Sequence, residues 1–331
     1  MPPRWRLPLL VLGFISLVLG VAGGLARLTP LPVSIAALAL HGPLMVSAFF
    51  GTVISLERAA ALDRLWAYAA PMGAGLGGVL LLVGLPFEGF VLMVLAAAVL
   101  VVASSVVLTR QRSLEMAALL AGAAAWLMGN LGLLLSFPAV PWWIAFFALT
   151  IGGERLELSR YLKRPPWARN AFMALAAALL FAPLEPRYLG VALVLLALWL
   201  FAFDLARVTV RQAKLPRYVA VCLLAGYVWL ALGGALIALE LAYDAALHTI
   251  FLGFVFSMVF GHAPVILPAV LRSPLPYHAV LYAPLILLHA SLAVRVAASV
   301  ELGAWGNAAA IALFILTAAT LVLRRKMGPA P

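Results

Sequence analysis

The run LHTIFLGFVFSMVFGHAPVILPAV, residues 247–270, decides how the rest of the chain is read. It is long enough to cross a bilayer as a helix and contains no Lys, Arg, Asp or Glu, yet it holds two of the chain's five histidines, His248 and His262. An ionisable side chain inside lipid is expensive and points by default to function. The two imidazoles are separated by about 21 Å along a helix axis and only about 40° around it, so they sit near opposite ends of one face. Gly253 and Gly261 thin that face, as a flat cofactor or a closely packed helix requires. A buried core helix whose histidines bond to backbone carbonyls fits the same pattern, and the run alone does not separate the two readings.

Composition fixes the class. With 331 residues, 66% hydrophobic and 10% charged, and a mean hydropathy of +1.15, the chain reads as a polytopic all-α membrane protein rather than a soluble domain. The single cysteine, Cys222, rules out an internal disulfide or a cysteine-based metal cluster. Apolar runs broken by Pro, Gly and charge predict about twelve spans: 7–27, 34–56, 65–85, 89–109, 114–136, 141–159, 168–184, 188–206, 218–240, 245–270, 277–299 and 303–323. The connections are short, so neighbouring helices pack antiparallel in a single integral membrane domain covering 1–331. The first run follows Arg4 and Arg6 and has a cleaved signal peptide as its alternative reading; the orientation downstream is the same either way.

The net charge of +11 would suggest nucleic acid in a soluble protein, but its distribution here is a topology signal. With the N-terminus cytoplasmic, 19 of the 22 basic residues fall in cytoplasmic segments, and Arg27, Arg187 and Arg295 are the exceptions. This predicts a multi-pass protein of the cell (inner) membrane with both termini cytoplasmic, and nucleic acid drops out as a partner.

A repeat runs through the even-numbered spans. Phe49-Phe50 and Glu57-Arg58 recur as Phe146-Phe147 and Glu154-Arg155 at an offset of 97 residues. His41 and Phe49 recur as His248 and Phe256 at an offset of 207. Three four-helix pseudo-repeats follow, approximately 1–109, 114–206 and 218–323.

The candidate site is built on this repeat. His41, in HGPLM, and His248, in HTIFL, are expected within about two turns of the outer ends of parallel spans. Two neutral imidazoles are what a six-coordinate haem iron takes as axial ligands, and Pro43 loosens the backbone just after the first. A packing role for both histidines is the alternative. Met45, one turn after His41, and Met258 are thioether candidates, although methionine in an apolar core is usually filler. His289, midway along its span, is a further ligand or hydrogen-bonding candidate, whereas His278 at the inner face is expected to be solvated. Tyr243 and Asp244 either meet haem propionates or cap their helix. An inner polar layer of Glu57, Arg58, Glu154, Arg155, Glu157 and His262 reads first as Glu–Arg pairs stapling helix ends, and second as a proton or ion route.

Twelve spans, a cytoplasmic N-terminus and outer-side histidines on the second and tenth spans resemble subunit I of the haem-copper oxidases, where those two helices hold the low-spin haem. HGPLM is similar to the start of that family's second helix. The third repeat also resembles the NnrS family, twelve-span haem- and copper-containing proteins associated with nitric oxide metabolism. The departures are specific. The sixth span offers Trp142 and Trp143 but no histidine, the seventh has none, and the tenth lacks a His-x-His pair. The spacing of His248 and His262 also differs from the NnrS pattern. The resemblance therefore implies a b-type haem on His41 and His248, with any copper not of the oxidase type, and no dioxygen-reducing centre. The expected function is electron transfer or the handling of nitric oxide or another diatomic gas, with a respiratory electron donor, NO or O2 as partners beside the lipid bilayer. A haem-free secondary transporter using the inner Glu/Arg/His layer is one alternative. A cofactor-free assembly subunit for a respiratory complex is another.

Overall fold

The computed structural model describes residues 5–32, 35–160, 162–271 and 275–327; the side chains of 35, 36, 269–271 and 325–327 are outside the description. Arg4 and Arg272, and the side chains of Arg325 and Lys326, which entered the charge pattern, therefore lie outside it. The described residues form helices and connecting turns with no strand. Among the described residues, eleven helices are long and apolar enough to cross a membrane. They are α1 (Arg6–Ala26), α2 (His41–Leu62), α3 (Leu65–Leu82), α4 (Pro86–Arg110), α5 (Leu114–Leu135), α7 (Pro166–Leu184), α8 (Pro186–Phe203), α9 (Lys214–Ala238), α10 (Tyr243–Pro268), α11 (Ala279–Ala297) and α12 (Val300–Arg324). Helix α6 (Val140–Leu158) has the length but carries Glu154, Arg155 and Glu157 near its end. The chain is an all-α, multi-pass membrane protein.

Local chemistry sets the helix ends. Pro86, Pro166 and Pro186 open α4, α7 and α8, where a missing N–H costs nothing. Ser113 caps α5 by accepting from the Met116 N–H. Left-handed residues close α2 at Asp63 and α5 at Ser136.

The second span starts later than its composition predicts, at 41 rather than 34. The apolar run is broken at Leu40, whose backbone leaves helical geometry and separates a short helix, Ile35–Ala39, from α2. The Arg27 guanidinium donates to the Leu38 and Ala39 carbonyls at 2.9 and 3.1 Å, giving the end of that short helix its acceptor partners. His41 is consequently the first residue of α2, and Glu57-Arg58 lie inside its last turns.

The chain divides into two compact units, Met1–Gly153 and Glu154–Pro331. In the first, α1 lies on α2 through Phe14 and Phe49 and through close approach at its glycines. The repeated Phe pairs meet each other there: Phe50 of α2 stands edge-on to Phe147 of α6, with centroids 4.9 Å apart. Asn130 of α5 is fully buried and fastens four helices. It accepts from Ser47 of α2 at 2.5 Å and from the Trp143 indole of α6 at 3.3 Å, and it donates to the Met93 carbonyl of α4 at 3.0 Å. Among apolar neighbours an amide held by three hydrogen bonds fixes relative helix positions that greasy contacts would leave free to slide.

In the second unit, α8 and α9 approach backbone to backbone. A Cβ added at Gly190 would stand 2.3 Å from the Ala238 nitrogen, and one at Gly234 would stand 2.8 Å from the Gly190 oxygen. Helices α11 and α12 are joined by Asn307, which donates to the Leu288 carbonyl and the Ser291 hydroxyl. Phe260 of α10 stacks on Phe314 of α12 at 4.0 Å.

Candidate functional site

The hydrogen bond made by one ring nitrogen of a histidine determines what the other can do, and the five histidines separate cleanly on this basis. The Nδ1 of His41 lies 2.6 Å from the Gly20 carbonyl oxygen of α1. A carbonyl only accepts, so Nδ1 carries the proton. The ring rests against Gly24, where a Cβ would come within 2.8 Å of His41 Cε1. Glycine at 24 is thus what lets the imidazole lie against α1. Met45, one turn on, is buried with its sulfur against Gly20. That seat accounts for the thioether as packing on α1.

His248 is arranged in the same way within the other unit. Its Nδ1 lies 2.8 Å from the Asp244 carbonyl oxygen and 3.2 Å from Asp244 Oδ1. Asp244 is itself held by Arg295 of α11 through two hydrogen bonds, 3.1 and 2.9 Å long. Asp244 is thereby committed to protein partners. Carboxylate or carbonyl acceptors behind a histidine are the usual means of orienting a metal ligand.

A backbone irregularity accompanies each of these residues. α2 is π-helical over Leu44–Phe50, shortly after His41, and α10 is π-helical over Thr249–Phe256, directly after His248. Phe49 and Phe256, the aromatic residues shared at the 207-residue offset, both fall inside these stretches. Pro43, which cannot donate a backbone hydrogen bond, accounts for the loosening in α2. In α10 the π turn has no such proline; Pro264 and Pro268 come later. Widened turns of this kind concentrate at functional sites.

The remaining histidines differ. His289 of α11 accepts at Nδ1 from the Trp229 indole of α9 at 2.9 Å, and its Nε2 lies 3.3 Å from Ser257 Oγ. Ser257 gives its own proton to the Cys222 carbonyl at 2.7 Å, so Nε2–H of His289 is the donor. Both nitrogens are used, leaving neither for a metal. His278 is exposed and caps the start of α11 by accepting from the Val280 N–H. His262 donates from Nδ1 to the Met258 carbonyl at 2.9 Å, and its Nε2 is buried with no hydrogen-bond partner.

The inner polar layer is anchored by a residue the sequence reading passed over. Arg155 of α6 makes its two-point contact not with a glutamate but with Asp204 at the end of α8, at 2.7 and 3.0 Å, and both side chains are almost wholly buried. Asp204 also accepts from Ser159 Oγ at 3.4 Å and from the Ala206 N–H at 2.6 Å. One signal did mark it: Asp204 is the lone acid between Glu185 and Glu240, at the head of a run containing Arg207, Arg211, Lys214 and Arg217. Glu57 lies next to Arg58 and feels its charge, and Glu154 adds its field to Arg155; Glu157 is half-buried. Asn130, Tyr227 and Trp229 were likewise missed, because polar atoms of this kind acquire meaning only through their partners. Trp143, one of two tryptophans on a span that has no histidine, donates its indole N–H to Asn130.

The three arginines that depart from the charge pattern each have a partner. Arg27 holds the short helix before α2, Arg295 holds Asp244, and Arg187 pairs with Glu240 at 2.8 Å between the ends of α8 and α9. Among the described residues no three His, Cys, Asp or Glu side chains converge as a metal-holding group.

No curated protein and no solved structure matches the chain. A family model does, over residues 6–323, and the chain therefore belongs to the family described as a domain of unknown function, DUF8744.

Proposed function

We propose that the chain is a b-type haem protein of the membrane, of haem-copper-oxidase/NnrS type, with His41 and His248 as axial ligands. One observation supports the reading: in each unit a histidine stands at the mouth of a π-helical stretch with its Nδ1 fixed on a main-chain carbonyl. Bound haem would supply a one-electron couple at its iron. The chain's own residues position each imidazole: the Gly20 carbonyl orients His41, and Asp244, itself held by Arg295, orients His248.

Two imidazoles close an iron to gas unless one leaves, which favours electron transfer with a respiratory donor over nitric oxide or dioxygen handling as the resting function. The basic residues of the even-numbered connections favour cytoplasmic N- and C-termini in a cell membrane. The purified protein is expected to show a Soret band and a b-type pyridine haemochrome. His41→Ala and His248→Ala should each abolish the low-spin spectrum, and His278→Ala should leave it intact. A full low-spin spectrum in both of the first two variants would overturn the assignment. A colourless, folded protein from haem-replete cells would leave the transporter reading in its place.

A further inference from the structure

The second unit contains a polar group of side chains that the haem reading does not use. Arg155 and Asp204 form its centre, and Ser159 supports them by donating to Asp204 and accepting from the Leu205 N–H at 3.0 Å. Tyr227 of α9 is completely buried and lies close to both Arg155 and Asp204, yet its hydroxyl makes no hydrogen bond of normal geometry with either. His262 of α10 stands within reach of the same two charges. Its Nδ1 is committed to Met258, and its buried Nε2 is unpartnered. Glu154, next to Arg155, is the further charged group acting on this cluster.

The two orphaned atoms have complementary chemistry. Tyr227 has a proton to give, and His262, protonated at Nδ1, has a lone pair to receive one. They do not bond to each other, and each lies beside an ion pair whose carboxylate is already occupied by Arg155, Ser159 and a backbone N–H. Helix α10 is loosened at this level, because Pro264 offers no N–H to the Phe260 carbonyl. Buried polar atoms of this kind are nearly always satisfied, and when protein does not do so an ordered water does.

We propose that the second unit encloses a bound-water site, in which water accepts from the Tyr227 hydroxyl, donates to His262 Nε2 and lies against the Arg155–Asp204 pair. The site puts a proton-accepting nitrogen in hydrogen-bonded contact with water inside the membrane unit. It stands independently of the haem, since none of its residues is an assigned axial ligand.

Radiolytic hydroxyl-radical footprinting of the full-length protein, read by mass spectrometry, tests this directly, because radicals formed from a bound water label the side chain beside it. The exposed tyrosines Tyr188 and Tyr243 serve as positive references. Phe254, fully buried with its ring 6.4 Å from that of Tyr227, serves as the dry reference. Tyr227 is expected to be labelled despite its burial, with Phe254 unlabelled. In His262→Phe, which removes the acceptor and fills the space, labelling of Tyr227 should fall several-fold. An unlabelled Tyr227 beside labelled Tyr188 and Tyr243 would overturn the site, and so would equal labelling of Tyr227 and Phe254, which means general opening. Undiminished Tyr227 labelling in a folded His262→Phe or His262→Leu variant would remove His262 from it. The wild-type measurement decides the outcome even if neither variant folds.

Discussion

Arg295 grips Asp244 by both carboxylate oxygens, and the backbone carbonyl of that same aspartate holds the Nδ1 of His248. One residue thus fixes a histidine through its main chain and an arginine through its side chain. The guanidinium is almost buried and the carboxylate half exposed, so the pair sits between a surface and a buried ion pair in strength. Asp244→Ala should strand Arg295 and lower stability by on the order of 1–2 kcal/mol, measured as a shift in thermal unfolding in detergent. The main-chain carbonyl survives that change. His248 should therefore keep its tautomer, and the proposed low-spin spectrum should persist with at most a small shift. Loss of the spectrum in a stable Asp244→Ala protein would mean that the carboxylate, not the carbonyl, orients the ring.

Two glycines beside His41 should respond oppositely to the same change. At Gly24 an added Cβ would meet His41 at 2.8 Å from Cε1 and 2.9 Å from Nδ1, closer than such contacts occur. Gly24→Ala must turn the ring or part α1 from α2, breaking the bond to Gly20, at roughly 1–3 kcal/mol. At Gly42 the nearest atom, Trp143 Cζ3, is 3.6 Å from the added Cβ, an ordinary contact. Gly42→Ala should be neutral or stabilising by up to about 1 kcal/mol through helix propensity. Haem content per polypeptide should fall in the first variant alone; an equal fall in both would remove α1 from the ligand's support.

Helix placement was legible in this sequence to a greater degree than helix breaks. Hydrophobic runs placed most spans within a few residues, because crossing a bilayer demands long, uncharged segments. The start of α2 was misplaced because Leu40 is as apolar as its neighbours, and only the Arg27 contact to Leu38 and Ala39 shows that the chain is broken there. The histidines were identifiable from cost alone, since an imidazole in lipid is conspicuous. Their tautomers were not, because His289 is saturated by Trp229 and Ser257, residues 60 and 32 positions away in the chain. The Glu–Arg pairing expected for Arg155 came from sequence adjacency. Its actual partner, Asp204, is 49 residues away, a separation that periodicity cannot bridge.

Arg187 and Glu240 join the ends of α8 and α9, and their charges set a pH dependence. The Arg187 hydrogen bond and charge lower the Glu240 carboxyl below its ordinary value of 4.5. A carboxyl depressed in the folded state stabilises it above the unfolded value, and that contribution disappears as the pH falls through the folded one. Thermal stability should therefore decline on acidification below about pH 4.5. The part of that decline owed to this pair should vanish in Arg187→Gln and shrink in high salt, because both partners are exposed. An unchanged acid profile in Arg187→Gln would assign the pair no role in stability.

The Arg155–Asp204 pair should behave in the opposite manner, being out of reach of bulk solvent and salt. Its side chains are 5% and 0% exposed, so removing one partner leaves a charge that bulk solvent cannot screen. Asp204→Leu and Arg155→Met should each cost roughly 3–5 kcal/mol. Much of that cost is the stranded charge rather than the lost attraction, and so the double variant Arg155→Met with Asp204→Leu should be much less damaged than the two single losses added together. Thermal unfolding of the four proteins at low and high salt gives the cycle, with salt changing the interaction energy little. Additive losses would mean that each residue is held by other contacts, and that the buried centre of the second unit is not the pair itself.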